Sequence, residues 1–170
     1  MPLPEEDQMS PAPANLSETC VNLNTVRRLF DAVERRDHAA VAAAYDKDIV
    51  IHEAASLPYG GDYSGHEGAW RHGHGFLAAW DRFQPDDNRS LESRIIADGD
   101  HVVVLWRHKV ENAETGDKID LPAVSVYQMR DGKIVDSRMF QFDTAALVQF
   151  LRDNEPRRSR DATLPTSSAP

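Results

Sequence analysis

The sequence predicts an α+β domain, with helices first and a meander of antiparallel strands after them. Three observations carry this reading. Up to residue 84 the apolar residues recur mainly at helical spacing, interrupted by one alternating stretch at 49–54. After Pro85 the period falls to two. The period-two segments are separated by Asp98-Gly99, Thr115-Gly116 and Asp131-Gly132, pairs that suit short hairpins. Elements in this order pack as helices on one face of a hairpin-linked sheet.

Leu23, Val26, Phe30 and Val33 predict a first helix ending near Arg36. Asp37 is placed to cap a second, Ala-rich helix through Tyr45. The stretch from Ile49 to Ala54 alternates as a strand, with Ile49, Ile51 and Glu53 on one face and His52 on the other. Leu57-Pro-Tyr-Gly-Gly61 reads as a turn. Ser64 and Glu67 have the spacing of a capping box and open a third helix. Its expected apolar stripe is Trp70, Gly73, Leu77 and Trp80, flanked by Phe76 and Phe83. Strand signals follow at 89–97, 101–112, 118–130 and 133–142, and Asp143 can cap a last helix carrying Ala146, Leu147 and Phe150. Residues 1–18, with four prolines, and the Arg-, Ser-, Thr- and Pro-rich residues 153–170 are expected to be disordered tails around one domain at 19–152.

A chain of 170 residues, 41% hydrophobic, has enough apolar content for one core. With 28 acidic against 19 basic residues its net charge is −9, which disfavours nucleic acid and anionic membranes as partners. Cys20 is the only cysteine, so no internal disulfide can form. The acidic, Pro-rich start is unlike a secretory leader, and a cytoplasmic location is the expectation.

Strand faces locate the candidate chemistry. In the third strand signal Arg107, Lys109 and Glu111 share a wet face, while Trp106, His108, Val110 and Asn112 share a covered one. A histidine among Trp and Val, and a glutamate on the Ile49–Ile51 face, are two titratable groups in one small core, as a core histidine or as part of a pocket. In the next strand Ala123, Ser125 and Tyr127 share one face and Val124, Val126 and Gln128 the other; period alone leaves open which looks inward. His72 and His74 lie about 200° apart around a helix, so they cannot chelate one metal together. No phosphate loop, nucleophile elbow or zinc-protease motif occurs. No metal site is expected.

The order of helices ending in Tyr-Asp-Lys-Asp48, then Pro-Tyr-Gly-Gly61, Tyr-Ser-Gly65 and Arg-Asp-Gly-Lys-Ile-Val135 resembles the SnoaL-like domain. So do Leu57-Pro-Tyr-Gly-Gly and Phe142-Asp-Thr-Ala-Ala-Leu147. That group belongs to the superfamily of ketosteroid isomerase, limonene epoxide hydrolase, polyketide cyclases and nuclear transport factor 2. The resemblance spans about 22–151. It implies a cone in which a curved antiparallel sheet wraps about three helices around a pocket. It puts the isomerase base on Glu53, and the isomerase's two oxyanion donors on Leu29 and Ser125, neither of them a match. The hydrolase's Asp-Arg-Asp set falls on His108, Trp106 and Met139, so that triad is absent. After the Gly-Lys-Ile turn, where the cyclases usually carry a His and an acidic residue, the chain reads Asp136-Ser-Arg-Met139.

The resemblance also aims Glu53, Trp106, His108, Val110, Asn112, Ser125, Tyr127, Met139 and Gln141 at the pocket, with Tyr59 and His72 near its mouth. The expected function is cofactor-free acid–base chemistry on a small hydrophobic molecule. Glu53 and His108 are the expected proton carriers, Tyr59 and Tyr127 neutral donors, and Trp70, Trp106 and Met139 apolar walls. The other reading is a non-catalytic module of the same fold, holding a small hydrophobic ligand in the pocket or a protein on the outer sheet face. Val124, Val126, Phe140 and Phe142, opposite the pocket, predict a sheet-to-sheet homodimer.

Overall fold

The computed structural model describes residues 13–84 and 91–155. In chain order the elements are α1 (Pro13–Glu34), α2 (His38–Ala44), β1 (Tyr45–Glu53), β2 (Gly61–Ser64) and α3 (Gly65–Trp80). A 3₁₀ turn at Asp81–Phe83 follows, then β3 (Ser93–Asp98), β4 (His101–Glu111), β5 (Lys118–Arg130), β6 (Lys133–Gln141) and α4 (Thr144–Asp153). The strands form one curved, unclosed sheet in the order β2-β1-β6-β5-β4-β3.

Local chemistry explains most of the boundaries. The Asp37 carboxylate accepts from the Ala40 N–H at 3.0 Å and opens α2; Asp143 does the same for α4 through the Ala146 N–H at 2.9 Å. Asp131 and Gly132 both hold positive φ in the β5–β6 turn. Three polar residues of α1 pin the turns of the sheet. Asn22 donates to the Gly99 carbonyl at 2.9 Å, Thr19 accepts from the Gly99 N–H at 3.1 Å, and Thr25 donates to the Gly132 carbonyl at 3.0 Å.

The structure departs from the sequence reading in five places. α1 begins at Pro13, inside the stretch expected to be a tail, because proline at a helix start gives up no hydrogen bond. Residues 1–12 and 156–170 lie outside the described residues. The turn at 57–61 leads into a short strand, β2, whose Tyr63 and Ser64 pair with Ile51 and Val50. Held extended by that pairing, Ser64 makes no side-chain cap bond to α3, so the capping box does not close. The buried row of α3 is Gly68, His72 and Trp80, with Phe76 in step, whereas Trp70 is 61% exposed. Finally, one strand pair is parallel: β1 lies beside β6 with Ile51 opposite Ser137. No hairpin joins these two strands, and only the folded chain brings them together.

Apolar burial occurs in two clusters. Val26 and Leu29 of α1 meet Ile49, Ile51, Val104 and Ile134 at the centre of the sheet. Trp80, Phe83, Val110, Leu147 and Phe150 fill the end closed by α4. Each fully buried large side chain here contributes roughly 1.5–3 kcal/mol of transfer free energy. On the outer face His52 of β1 bridges its two neighbouring strands, β2 and β6, with Nδ1 2.7 Å from Asp62 and Nε2 3.1 Å from Asp136.

That outer face also carries Ile96, Leu105, Phe140 and Phe142, all exposed, Phe142 by 79%. Leu105 stands opposite Val124, and Val124 opposite Phe140, so the patch runs across three strands. The expected result is a homodimer joined through this face, and its conversion to monomer by Leu105→Lys with Phe140→Lys. Sedimentation equilibrium checks it; a wild-type monomer at tens of micromolar, about the usual working range, counts against it.

Candidate active site

Glu53 ends β1 on the inner face, after Ile49 and Ile51, and its side chain is 3% exposed. The loop from Ala54 to Gly60 then turns sharply back, with the Leu57 N–H on the Ala54 carbonyl and the Gly60 N–H on the Leu57 carbonyl. Gly60 is required there, since a β-carbon would lie 2.1 Å from the Ala54 carbonyl oxygen. Gly75 plays the matching part on α3, where a β-carbon would meet the Tyr59 β-carbon at 2.9 Å. These two close approaches let α3 lie across the end of β1 and bring His72 over Glu53. Gly60→Ala is therefore expected to lose about 1–3 kcal/mol of stability, the usual cost of overpacking, or more because backbone must move. Urea unfolding of the variant measures it; an unchanged midpoint would contradict the close approach.

His72 and Glu53 form a buried pair. His72 Nε2 stands 3.3 Å from Glu53 Oε2, and Glu53 Oε1 accepts from the Ala54 N–H at 3.1 Å. Two rings hold the imidazole edge-on: Tyr63 with centroids 5.2 Å apart and Tyr59 at 6.1 Å. The tyrosines are themselves fixed. Tyr63 donates to the Tyr59 carbonyl at 2.8 Å, and the Trp80 indole donates to the Tyr59 hydroxyl at 2.7 Å. Burial, with the Glu53 charge adding to it, pushes the Tyr59 phenol well above its ordinary value.

The pair faces a cavity of about 190 Å³. Its apolar walls include Leu29, Phe30, Phe76, Leu77 and Leu91. The sheet contributes Trp106, Ser125, Tyr127, Met139 and Gln141, and β1 contributes Glu53. Trp106 donates to the Ser125 hydroxyl at 3.0 Å, and that hydroxyl lies 3.0 Å from the Met139 sulfur. Tyr127 is almost fully buried, and burial is the main cause that raises its phenol pKa far above normal. It stays a protonated, neutral donor throughout the ordinary pH range. A wall of this kind suits a flat or branched apolar body carrying one or two oxygen functions.

The structure thus gathers Glu53, His72, Trp106, Ser125, Tyr127, Met139 and Gln141 around one cavity and leaves other candidates outside it. His108 is the main correction. It is wholly buried between the two apolar clusters, and Trp80, Trp106 and Phe76 surround it at ring distances of 4.3, 5.6 and 6.0 Å. Neither of its nitrogens has a hydrogen-bond partner among the described residues, and burial lowers its pKa to about 4. It is a neutral core ring behind the cavity wall, and His72 takes the place beside Glu53 expected for it. Tyr59 stands behind His72. Val110 belongs to the second apolar cluster, and Asn112 ties the β4–β5 loop to Asn154 at the end of α4. Trp70 lines a separate cleft between α2 and α3.

Sequence reading missed Tyr63 and the contributions of α1 and α2. The signal for His72 as the partner was present in the row Gly68, His72, Phe76, Trp80, spaced by four along one helix face. Among the described residues no group of three or more His, Cys, Asp and Glu is arranged to hold a metal ion. No described helix is long and apolar enough to cross a membrane.

This architecture is the nuclear-transport-factor-2-like class. A protein of that class from Burkholderia pseudomallei, of unknown function, superposes with a TM-score of 0.66 at 26% identity over 77% of this chain and 97% of its own. TerC, crystallised with polyporic acid, superposes with a TM-score of 0.66 at 21% identity over 78% and 98%. A putative SnoaL-like polyketide cyclase from Jannaschia sp. CCS1 does so with 0.60 at 20% identity over 87% and 99%. The chain belongs to the SnoaL-like domain family, whose model matches residues 26–137. No curated protein matches it.

Proposed function

We propose that this protein is a small-molecule enzyme that works by general acid–base chemistry without a cofactor, on a hydrophobic carbonyl or polyketide-like compound held in the cavity. One observation carries the reading: a carboxylate 3% exposed, on the wall of an apolar cavity, with an imidazole 11% exposed 3.3 Å away. A base in such a place needs no desolvation on meeting its substrate. Glu53 takes a proton from the carbon next to the carbonyl. The C–H electron pair moves into a carbon–carbon double bond, and the carbonyl oxygen becomes an enolate. In this reading the Tyr127 phenol, which lines the cavity and is held neutral by burial, donates to that oxygen. Return of the proton at another carbon gives isomerisation; attack of the enolate carbon on a second carbonyl gives ring closure. The polyporic acid in TerC and the cyclase label of the Jannaschia protein belong to those proteins, and they agree with a substrate of this kind.

A second reading has its own observation. Both Glu53 oxygens are already hydrogen-bonded, to Ala54 and to His72, as in a purely structural pair. The protein would then only bind its ligand. Ring opening of 5-nitrobenzisoxazole separates the two. Removal of its single acidic C–H proton breaks the N–O bond and releases a coloured cyanophenolate, so a positioned base is all the reaction needs. The enzyme reading expects saturable release that depends on Glu53. A rate equal to that of free carboxylate in solution favours the binding module.

A further inference from the structure

A second cleft, of about 250 Å³, separates α2 from α3. α2 leans on α1 far more than on α3, so the two helices stand apart. His38, Val41, Tyr45, Ala69 and Gly73 line both this cleft and the main cavity, so one layer of side chains stands between the two spaces. Gly73 lies in that layer, where an added β-carbon would find nothing within 4 Å. Glycine in the middle of a helix costs roughly 1 kcal/mol against alanine, and at this position no side chain fills the space beside the helix.

Rings stand over the cleft. Trp70, 61% exposed, lies against His74 with centroids 3.7 Å apart. His74 and His38, one from each helix, are nearly parallel at 21° with centroids 6.1 Å apart. The His74 ring is fixed by its Nδ1, 2.9 Å from the Trp70 carbonyl. Aromatic faces attract one another, so the exposed Trp70 indole offers a flat molecule a first contact at the cleft.

We propose that the α2–α3 cleft is the entrance through which flat aromatic or conjugated molecules reach the cavity, with Trp70, His74 and His38 as a ring-lined vestibule and Gly73 as the opening. This rests on the cavity being a small-molecule site, as proposed above, and not on its chemistry.

The test is an amide NMR titration of the full chain with 2-naphthol, which reports location and exchange rate together. In the wild type the amides of Ala42 and His74 in the cleft and of Ser125 and Tyr127 in the cavity shift with one dissociation rate. Ala42→Phe narrows the cleft from α2, where Ala42 touches the cleft lining alone, and Gly73→Leu blocks the shared layer from α3. In each, the dissociation and association rates fall by roughly tenfold or more. In Ala42→Phe, which leaves the cavity lining untouched, Kd also stays within about threefold, because a gate slows entry and exit alike. Gly73→Leu adds bulk to the cavity lining too and is read by its rates alone. Cavity amides that shift at the wild-type rate in both variants would overturn the proposal and place entry elsewhere on the cavity wall. So would naphthol that moves no cavity amide. The acid–base reading fails separately: a fully active Glu53→Gln enzyme would leave these exchange rates as they are.

Discussion

Glu53→Gln is expected to slow ring opening of 5-nitrobenzisoxazole by about 10²- to 10⁴-fold, the usual contribution of a positioned acid–base group. The substitution keeps the size of the side chain and its bond from the Ala54 N–H, and removes only the capacity to take a proton. The fold should survive it. His72→Phe tests the other half of the pair. It leaves the carboxylate buried on an apolar wall without the partner at 3.3 Å, at a cost of about 1–3 kcal/mol for the unmet acceptor. The double variant should recover part of that loss, because the two changes remove one shared interaction and are not additive. Urea unfolding of the four proteins gives the coupling, and initial rates give the catalytic loss. If Glu53→Gln turns the probe over as fast as wild type, the base lies elsewhere and the binding-module reading takes precedence.

His108→Phe is expected to stabilise the protein in mild acid without touching the rate. The sign follows from the direction of the shift. The unfolded chain binds a proton at this ring with a pKa near 6.5, and the folded chain only near 4. Above the unfolded value both states are neutral here and the stability is fully present. As pH falls from about 6.5 to about 4 the unfolded state gains a proton that the folded state refuses, and roughly 3 kcal/mol is lost. The variant lacks this group, so the difference between the two stability curves should open across that window. At neutral pH it also removes two unmet buried nitrogens, a further gain of about 1–3 kcal/mol. Phe suits the site, which is walled by Trp80, Trp106 and Phe76. Parallel pH curves for wild type and variant would mean that His108 has a polar partner after all. A large fall in turnover would return it to the chemistry.

The contrast between Glu53 and His108 shows what each level of description decides. Strand alternation alone puts both on covered faces, and both are buried. Period reports which side of a strand a residue takes. It does not report what crosses that side. Glu53 sits at the end of β1, where Gly60 and Gly75 let the loop and α3 come close, and it meets a histidine and a cavity. His108 sits under Trp80 and Phe76, and it meets only rings.

The sequence by itself determined the α+β order, the caps at Asp37 and Asp143, the positive-φ turns at Gly99, Gly116 and Gly132, and the inward faces of β1 and β4. Each of these is set by interactions within a few residues, which a local pattern records. Tertiary structure decided the parallel contact of β1 with β6, the strand β2, the buried row of α3 and the choice of His72 as the partner of Glu53. These depend on the tilt of one element over another, fixed by close packing between residues far apart in the chain, and no local period carries that information.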